Sequence, residues 1–411
     1  MSQVQTNASG VDFSLLEPLS NNEKNPFRPG FSRQPLMLAG RSDEINTFLK
    51  ALRNGPGSNG SSYVVTGARG TGKTVLVNEI INICRQIGYD VFAFSSKEGT
   101  LKDFIYALCK SAKASYELEL NPHLEVFGIG ASIGSIKKTT DIYDVPLTEL
   151  LKRYCSRAKR GVIIALDEVE EKFASDLVPI IKAYQDLLGD IEHDFNIFLI
   201  VAGLPLNIAK FEMIPGITFL HRSLHRQISS LKYTDAMDAI IETCRCNGDI
   251  SISKDNANII ARASCGYPFA IQQFGSNAWD IADNEHSLKI SQQDCMASIE
   301  DAYSTFSDQV LDPIFRDMSL IDLRIVREIA VAMNENRSNI VEISDIRKIL
   351  GCTPQYIGVY RKRLMKEGIL TATNAQYGKI CFAFPYIPQY VQDNIDEIDC
   401  AIEKGAAHPM R

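Results

Sequence analysis

Residues 67–74 read Gly-Ala-Arg-Gly-Thr-Gly-Lys-Thr, the pattern G-x4-G-K-T. These residue types dictate a chemistry. Gly67 and Gly72 let backbone N–H groups approach an anion where a side chain would crowd its oxygens. Ala68, Arg69, Gly70 and Thr71 complete the turn. Lys73 is suited to the β- and γ-phosphates of ATP and the Thr74 hydroxyl to Mg²⁺, with Val75 following in the first helical turn. A helix starting here points the positive end of its dipole at the phosphates.

A second signal ends in carboxylates. Gly161-Val-Ile-Ile-Ala-Leu166 runs apolar without alternation, as a strand covered on both faces must, and stops at Asp167 and Glu168. An acidic strand end can simply cap the next helix. After an upstream phosphate loop the stronger reading is catalytic: Asp167 holds Mg²⁺ through water and Glu168 polarises the attacking water.

A third signal lies near the C-terminus. Ile343–Leu350 reads as a short helix stopped by Gly351. Thr353 then caps a second helix that has Pro354 at its first position and runs over 355–367. Helix, short turn, helix is a DNA-binding signature. Ile357, Tyr360 and Leu364 turn inward. Gln355, Tyr356, Arg361, Lys362, Arg363 and Lys366 are expected outward, to enter a major groove and meet phosphates. Such modules also bind proteins, and a charged helix face can be merely solvated. Segments 369–373 and 379–384 read as a hairpin wing, with Tyr377 and Lys379 as weaker contacts.

The elements that must position these residues follow from hydrophobic pattern. Strands are expected at 63–66, 90–95, 161–166, 196–202 and 227–231, alternating with helices, which argues a parallel doubly wound sheet. Residues 121–145 read as an irregular or hairpin insertion. From Thr234 onward four helices are expected, over 234–247, 253–264, 268–283 and 292–310. The domains implied are a loose segment 1–30, a core 31–232, a helical lid 233–315, a winged helix 316–390 and an acidic tail 391–411 that reads as a mobile helix.

Composition bounds the rest. The 411 residues, 45% apolar and 23% charged, suit a globular protein of two or three domains. The net charge of −7 argues against wholesale coating of nucleic acid. Residues 315–390 alone carry eleven Lys/Arg against seven Asp/Glu, a local +4. Ten scattered cysteines without a C-x-x-C read as reduced thiols rather than a zinc or disulfide framework. No signal peptide and no membrane-length apolar run is evident, so a cytoplasmic protein away from membranes is expected.

With these residues in view the chain resembles the AAA+ ATPases of the origin-recognition and cell-division-control type. The likeness rests on Leu38-Ala-Gly-Arg41, Thr66–Thr74, Leu166-Asp-Glu168, Ala202-Gly-Leu-Pro205, Gly266-Tyr-Pro268 and Arg361–Gly368. It implies a P-loop α/β core, a helical lid and a C-terminal winged helix. It implies that Gly40 and Arg41 pack the adenine, and that Arg222, or failing it Arg226, reaches a neighbouring subunit's γ-phosphate in a homo-oligomer formed on ATP. Two departures stand out. Ala202-Gly203 occupies the place of a polar sensor residue. Gly266-Tyr267-Pro268 replaces a second sensor arginine and resembles the signalling STAND branch, placing Pro268 at the nucleotide. Both remove groups that stabilise charge on the γ-phosphate, so hydrolysis is expected to be slow. Two functions follow: an ATP-dependent DNA-binding initiator, loader or adaptor, or a STAND-like switch whose winged helix meets a protein partner.

Overall fold

A computed structural model describes residues 25–30, 33–115, 146–190, 192–246, 249–372 and 378–406. The chain divides into two compact units, one of residues 41–230 and 314–411, the other of residues 1–40 and 231–313.

The first unit is built on a five-stranded, all-parallel sheet. Its strands are β1 (Ser62–Thr66), β2 (Asp90–Ser95), β3 (Val162–Asp167), β4 (Ile197–Gly203) and β5 (Leu224–Gln227), in the order β2-β3-β4-β1-β5. Alternate side chains of each strand feed opposite cores. Tyr63, Val65, Ile163, Phe198 and Ile200 pack on α1 (Ser42–Asn54) and α2 (Lys73–Gln86). Val64, Ile164, Leu199 and Val201 pack on α3 (Thr100–Ser115), α4 (Leu147–Cys155) and α5 (Ala174–Leu188). This two-sided burial explains the unbroken apolar runs. A short α6 (Pro205–Phe211) follows β4.

β5 corrects the sequence reading. The expected strand was 227–231, yet Tyr63 to Thr66 pair with Leu224 to Gln227. The pairing stops where the Ile228 N–H bonds the Thr66 carbonyl. An edge strand with only Leu224 turned toward the core gives little hydrophobic signal. The expected 121–145 insertion lies outside the described residues.

The second unit is helical: α7 (Tyr233–Cys246), α8 (Lys254–Ala263), α9 (Pro268–Asn284) and α10 (Gln292–Phe306), with a small parallel pair β6 (Ser251–Ile252) and β7 (Lys289–Ile290). Ser253 caps α8, and Ser291 with Asp294 forms a capping box on α10. The expected loose segment is anchored at its end. The Asn25 amide donates to the Ser276 carbonyl at 3.0 Å and to Asp280 at 2.8 Å. Phe27 is buried over Gly275, where a Cβ would stand 2.3 Å from its ring.

The C-terminal part of the first unit holds α11 (Asp312–Arg316), α12 (Leu320–Glu335), β8 (Val341–Glu342), α13 (Ile343–Leu350), α14 (Pro354–Lys366), β9 (Leu370–Ala372) and β10 (Lys379–Phe382). The strands form an antiparallel sheet in the order β8-β10-β9, consistent with a winged-helix extension. The described part of the tail is helical, as expected, but packed rather than mobile. It forms α15 (Ile387–Asp393) and α16 (Ile395–Ala406). Ile398 is buried, and Asp399 takes a two-pronged ion pair from Arg327 of α12.

Candidate functional site

β1, flanked by β4 and β5, delivers the loop 67–72 to the start of α2 at the C-terminal edge of the sheet. Gly70 and Gly72 take φ of +71° and +89°, a region other residues enter only with strain. At Gly67 the constraint is room. A Cβ there would lie 2.6 Å from the Ile228 carbonyl oxygen and 2.8 Å from the Thr71 hydroxyl. Gly72 is the N-cap of α2 and offers no side-chain acceptor to the N–H groups of the first turn. Such a helix start suits a bound anion. Lys73 Nζ donates to the carbonyls of Gly67 at 2.9 Å and Ala68 at 2.8 Å. Burial, reinforced by the Arg69 charge, lowers the Lys73 pKa to about 8, while Asp167 and Glu168 pull the other way.

Asp167 and Glu168 arrive from β3 beside this loop. The Asp167 carboxylate accepts a hydrogen bond from the Thr74 hydroxyl and another, at 2.8 Å, from the Glu168 N–H. Burial raises its pKa, and those two hydrogen bonds oppose the rise. Glu168 sits at φ +54° and is exposed. Its carboxylate accepts from Ser95 Oγ at 2.9 Å. Ser95 is paired with Asp167 across the β2–β3 ladder, which places its hydroxyl there. Lys73, Thr74, Asp167 and Glu168 therefore meet at one place. A loop lysine, a hydroxyl and a carboxylate in contact, and a second carboxylate toward solvent can receive a phosphate chain with its cation and polarise a water.

Arg41 is buried at 6% exposure, and its guanidinium donates to the carbonyls of Thr71 and Ser229. Gly40 belongs to the helical unit, where its φ is +64° and a Cβ would stand 2.8 Å from the Asp235 carboxylate. Pro268 opens α9 of that unit, after the buried Tyr267. Arg222 and Arg226 are both exposed, and Arg226 hydrogen-bonds the Tyr63 hydroxyl.

On α14, Thr353 caps as expected, accepting from the Tyr356 N–H at 3.2 Å. Gln355, Tyr356, Lys362 and Lys366 are exposed. Arg361 and Arg363 are not on that free face. Arg361 is half-buried with its Nε sealed from solvent. Arg363 grips the buried Asp322 with two nitrogens and donates to Ser319 Oγ at 2.7 Å. Both partners come from the start of α12. Val359, 65% exposed, shares the stripe with Tyr356 and Lys362 at helical spacing. At its far end α14 reaches the core. Gly368, φ +73°, points its missing Cβ at Ala68, 3.4 Å from that residue's Cα, and at Pro205 of α6. Tyr377 lies outside the described residues.

Residues 37–189 match the family model described as AAA ATPase domain. That segment of the chain carries an AAA ATPase domain. Residues 325–391 match a second model, described as Domain of unknown function (DUF8462). No curated protein matches the sequence. Among solved structures, the Aeropyrum pernix ORC2 protein in ADPNP–ADP complexes is similar over 92% of this chain and 98% of its own, at 13% identity and TM-score 0.61. Its ADP form covers the same shares at 13% and 0.49. CDC6P from Pyrobaculum aerophilum covers 92% and 98%, at 14% and 0.46. The first of these likenesses establishes a shared fold.

The end of β4 leaves little room for a side chain. A Cβ at Gly203 would lie 3.0 Å from the Val169 carbonyl oxygen and 3.1 Å from Ile208, so a larger residue there would have to push these neighbours back. Sequence reasoning missed Ser95, which carries no motif and is found only through strand register. It also missed Val359, because an apolar residue on a helix reads as core.

Proposed function

We propose that the protein is a slow ATPase that uses ATP as a switch and binds duplex DNA through α14, in the manner of an initiator, loader or adaptor. Lys73 and the first turn of α2 bind the phosphates, and Thr74 with Asp167 holds Mg²⁺. The cation, when bound, neutralises charge building on the phosphates. Glu168 orients and polarises the attacking water. Its hydrogen bond to Ser95 restrains it, and the filled space at Gly203 leaves the γ-phosphate one polar partner fewer. Arg222, exposed, is available to a neighbouring copy in an ATP-dependent homo-oligomer.

The observation that carries the switch is the seat of Gly368 on Ala68. A phosphate loop that rearranges around nucleotide must disturb the end of the helix offered to DNA. Gln355, Tyr356, Val359, Lys362 and Lys366 form the DNA-facing stripe. The test is duplex binding at several salt concentrations, with and without ATP. Salt-dependent binding lost in Lys362→Glu/Lys366→Glu supports the reading; salt-insensitive or absent binding removes the DNA part.

A STAND-like switch with a protein partner is the second reading. It is favoured by Gly266-Tyr267-Pro268 and by exposed Tyr356 and Val359, which suit a protein contact as well as bases.

A further inference from the structure

Arg41 has a place in the fold that its resemblance-based role at the adenine does not use. The chain passes between the two units three times, first at Gly40/Arg41, then at Ser230/Leu231 and last at Pro313/Ile314. From the first crossing, the buried Arg41 guanidinium donates to the carbonyl of Ser229, one residue before the second crossing ends. The same nitrogen donates to the carbonyl of Thr71, in the phosphate loop, at 3.0 Å. Glu44 Oε1 lies 3.9 Å from the guanidinium's other terminal nitrogen.

The bond to Thr71 has a consequence for the loop. No peptide among the described residues is cis. In a trans peptide the C=O and N–H point in opposite directions. A guanidinium that holds the Thr71 carbonyl therefore turns the Gly72 N–H away from itself. Gly72 is the N-cap of α2, where the donors for an anion begin. Thr71 is further fixed by its own hydroxyl, which donates to the Ala68 carbonyl at 2.8 Å. The loop's shape is thus held from behind by a cation that is itself tied to the unit crossing.

We infer that Arg41 is a positioning residue: it orients the 71–72 peptide for phosphate binding and fastens the phosphate loop to the chain at two of its three crossings, without touching the base. This deepens the ATP site proposed above and rests on it. Phosphate recognition is common to all nucleoside triphosphates, so loss of Arg41 weakens ATP, ADP and GTP alike.

The test is nucleotide titration of wild type, Arg41→Ala and Arg41→Lys, with folding checked by thermal melts. Arg41→Ala is expected to bind ATP, ADP and GTP about tenfold or more weakly, by one common factor, as loss of a charge-assisted hydrogen bond allows. The ATP-to-GTP ratio stays that of wild type, and millimolar methylguanidinium restores part of the affinity. Arg41→Lys, which keeps a charged donor, loses less. A changed ATP-to-GTP ratio, in either variant, overturns the inference in favour of a base contact. Unchanged affinities in Arg41→Ala overturn it too. Should Arg41→Ala not fold, Arg41→Lys decides by the same ratio. A wild type that binds no nucleotide is a different result and defeats the ATP site itself.

Discussion

Gly368, two residues past the end of α14, rests on Ala68 of the phosphate loop, 3.4 Å from its Cα to the position a Cβ would take. One contact therefore joins the proposed ATP site to the proposed DNA site. Coupling between binding sites is reciprocal. If ATP changes the affinity for duplex DNA, on the order of tenfold, DNA must change the affinity for ATP by the same factor. Gly368→Ala would place an ordinary residue at φ +73°, at a cost of about 1–2 kcal/mol. A lower Tm with reduced coupling is the expected outcome, read by melts and paired titrations. Equal ATP affinity with and without saturating DNA would disconnect the two sites.

Ser95 restrains Glu168. Ser95→Ala removes a donor to a carboxylate, and with both groups exposed the interaction is worth about 1 kcal/mol. ATP turnover should rise several-fold at most while ATP binding is unchanged. Glu168→Gln should abolish turnover and keep binding. Steady-state phosphate release beside nucleotide titration separates the two effects. A Ser95→Ala enzyme slower than wild type would mean the hydroxyl helps Glu168 rather than holding it back.

Lys73 gives a pH dependence. Its pKa is lowered to about 8, chiefly by burial. Phosphate favours the charged lysine, so the bound pKa is higher than the free one. Binding then takes up a proton above pH 8. ATP affinity should be level from pH 7 to 8 and fall above it, approaching tenfold per pH unit until the bound lysine also titrates. Titrations from pH 7 to 9.5 check this. Affinity that rises with pH would contradict the assignment of Lys73.

Arg363 and Lys362 are neighbours with opposite expectations. Removing Arg363 leaves the carboxylate of Asp322, itself only 4% exposed, without its cation and with the Ser319 hydroxyl as remaining donor. A buried pair broken this way loses about 3–5 kcal/mol. With the Arg363 side chain 39% exposed, roughly 2 kcal/mol is expected, seen as a lower denaturation midpoint for Arg363→Ala. Lys362→Ala should leave stability within about 0.5 kcal/mol and lower the salt slope of DNA binding by about one phosphate contact. A stable Arg363→Ala protein that loses DNA would reverse these roles.

That contrast shows what the sequence could and could not disclose. β1, β3 and β4 were legible because burial on both faces leaves unbroken apolar runs, and the loop at Lys73 because its glycines answer to backbone geometry. The fate of Arg363 was not, since Ser319 and Asp322 come from a helix far back in the chain. The same holds for the tail. Its acidic composition suggests solvent, but the buried Val391 and Ile398 and one distant arginine, Arg327, fix it. Strand β5 was misplaced because its edge position weakens the hydrophobic pattern that marks the others.

The meeting of Lys73 with Thr74, Asp167 and Glu168 is the centre of the account, and direct ATP binding tests it. Titration of ATP–Mg²⁺ into the full-length protein should show one site in wild type and none in Lys73→Ala. Asp167→Asn should retain ATP but lose the effect of Mg²⁺. Equal ATP binding by wild type and Lys73→Ala, both folded, would contradict it.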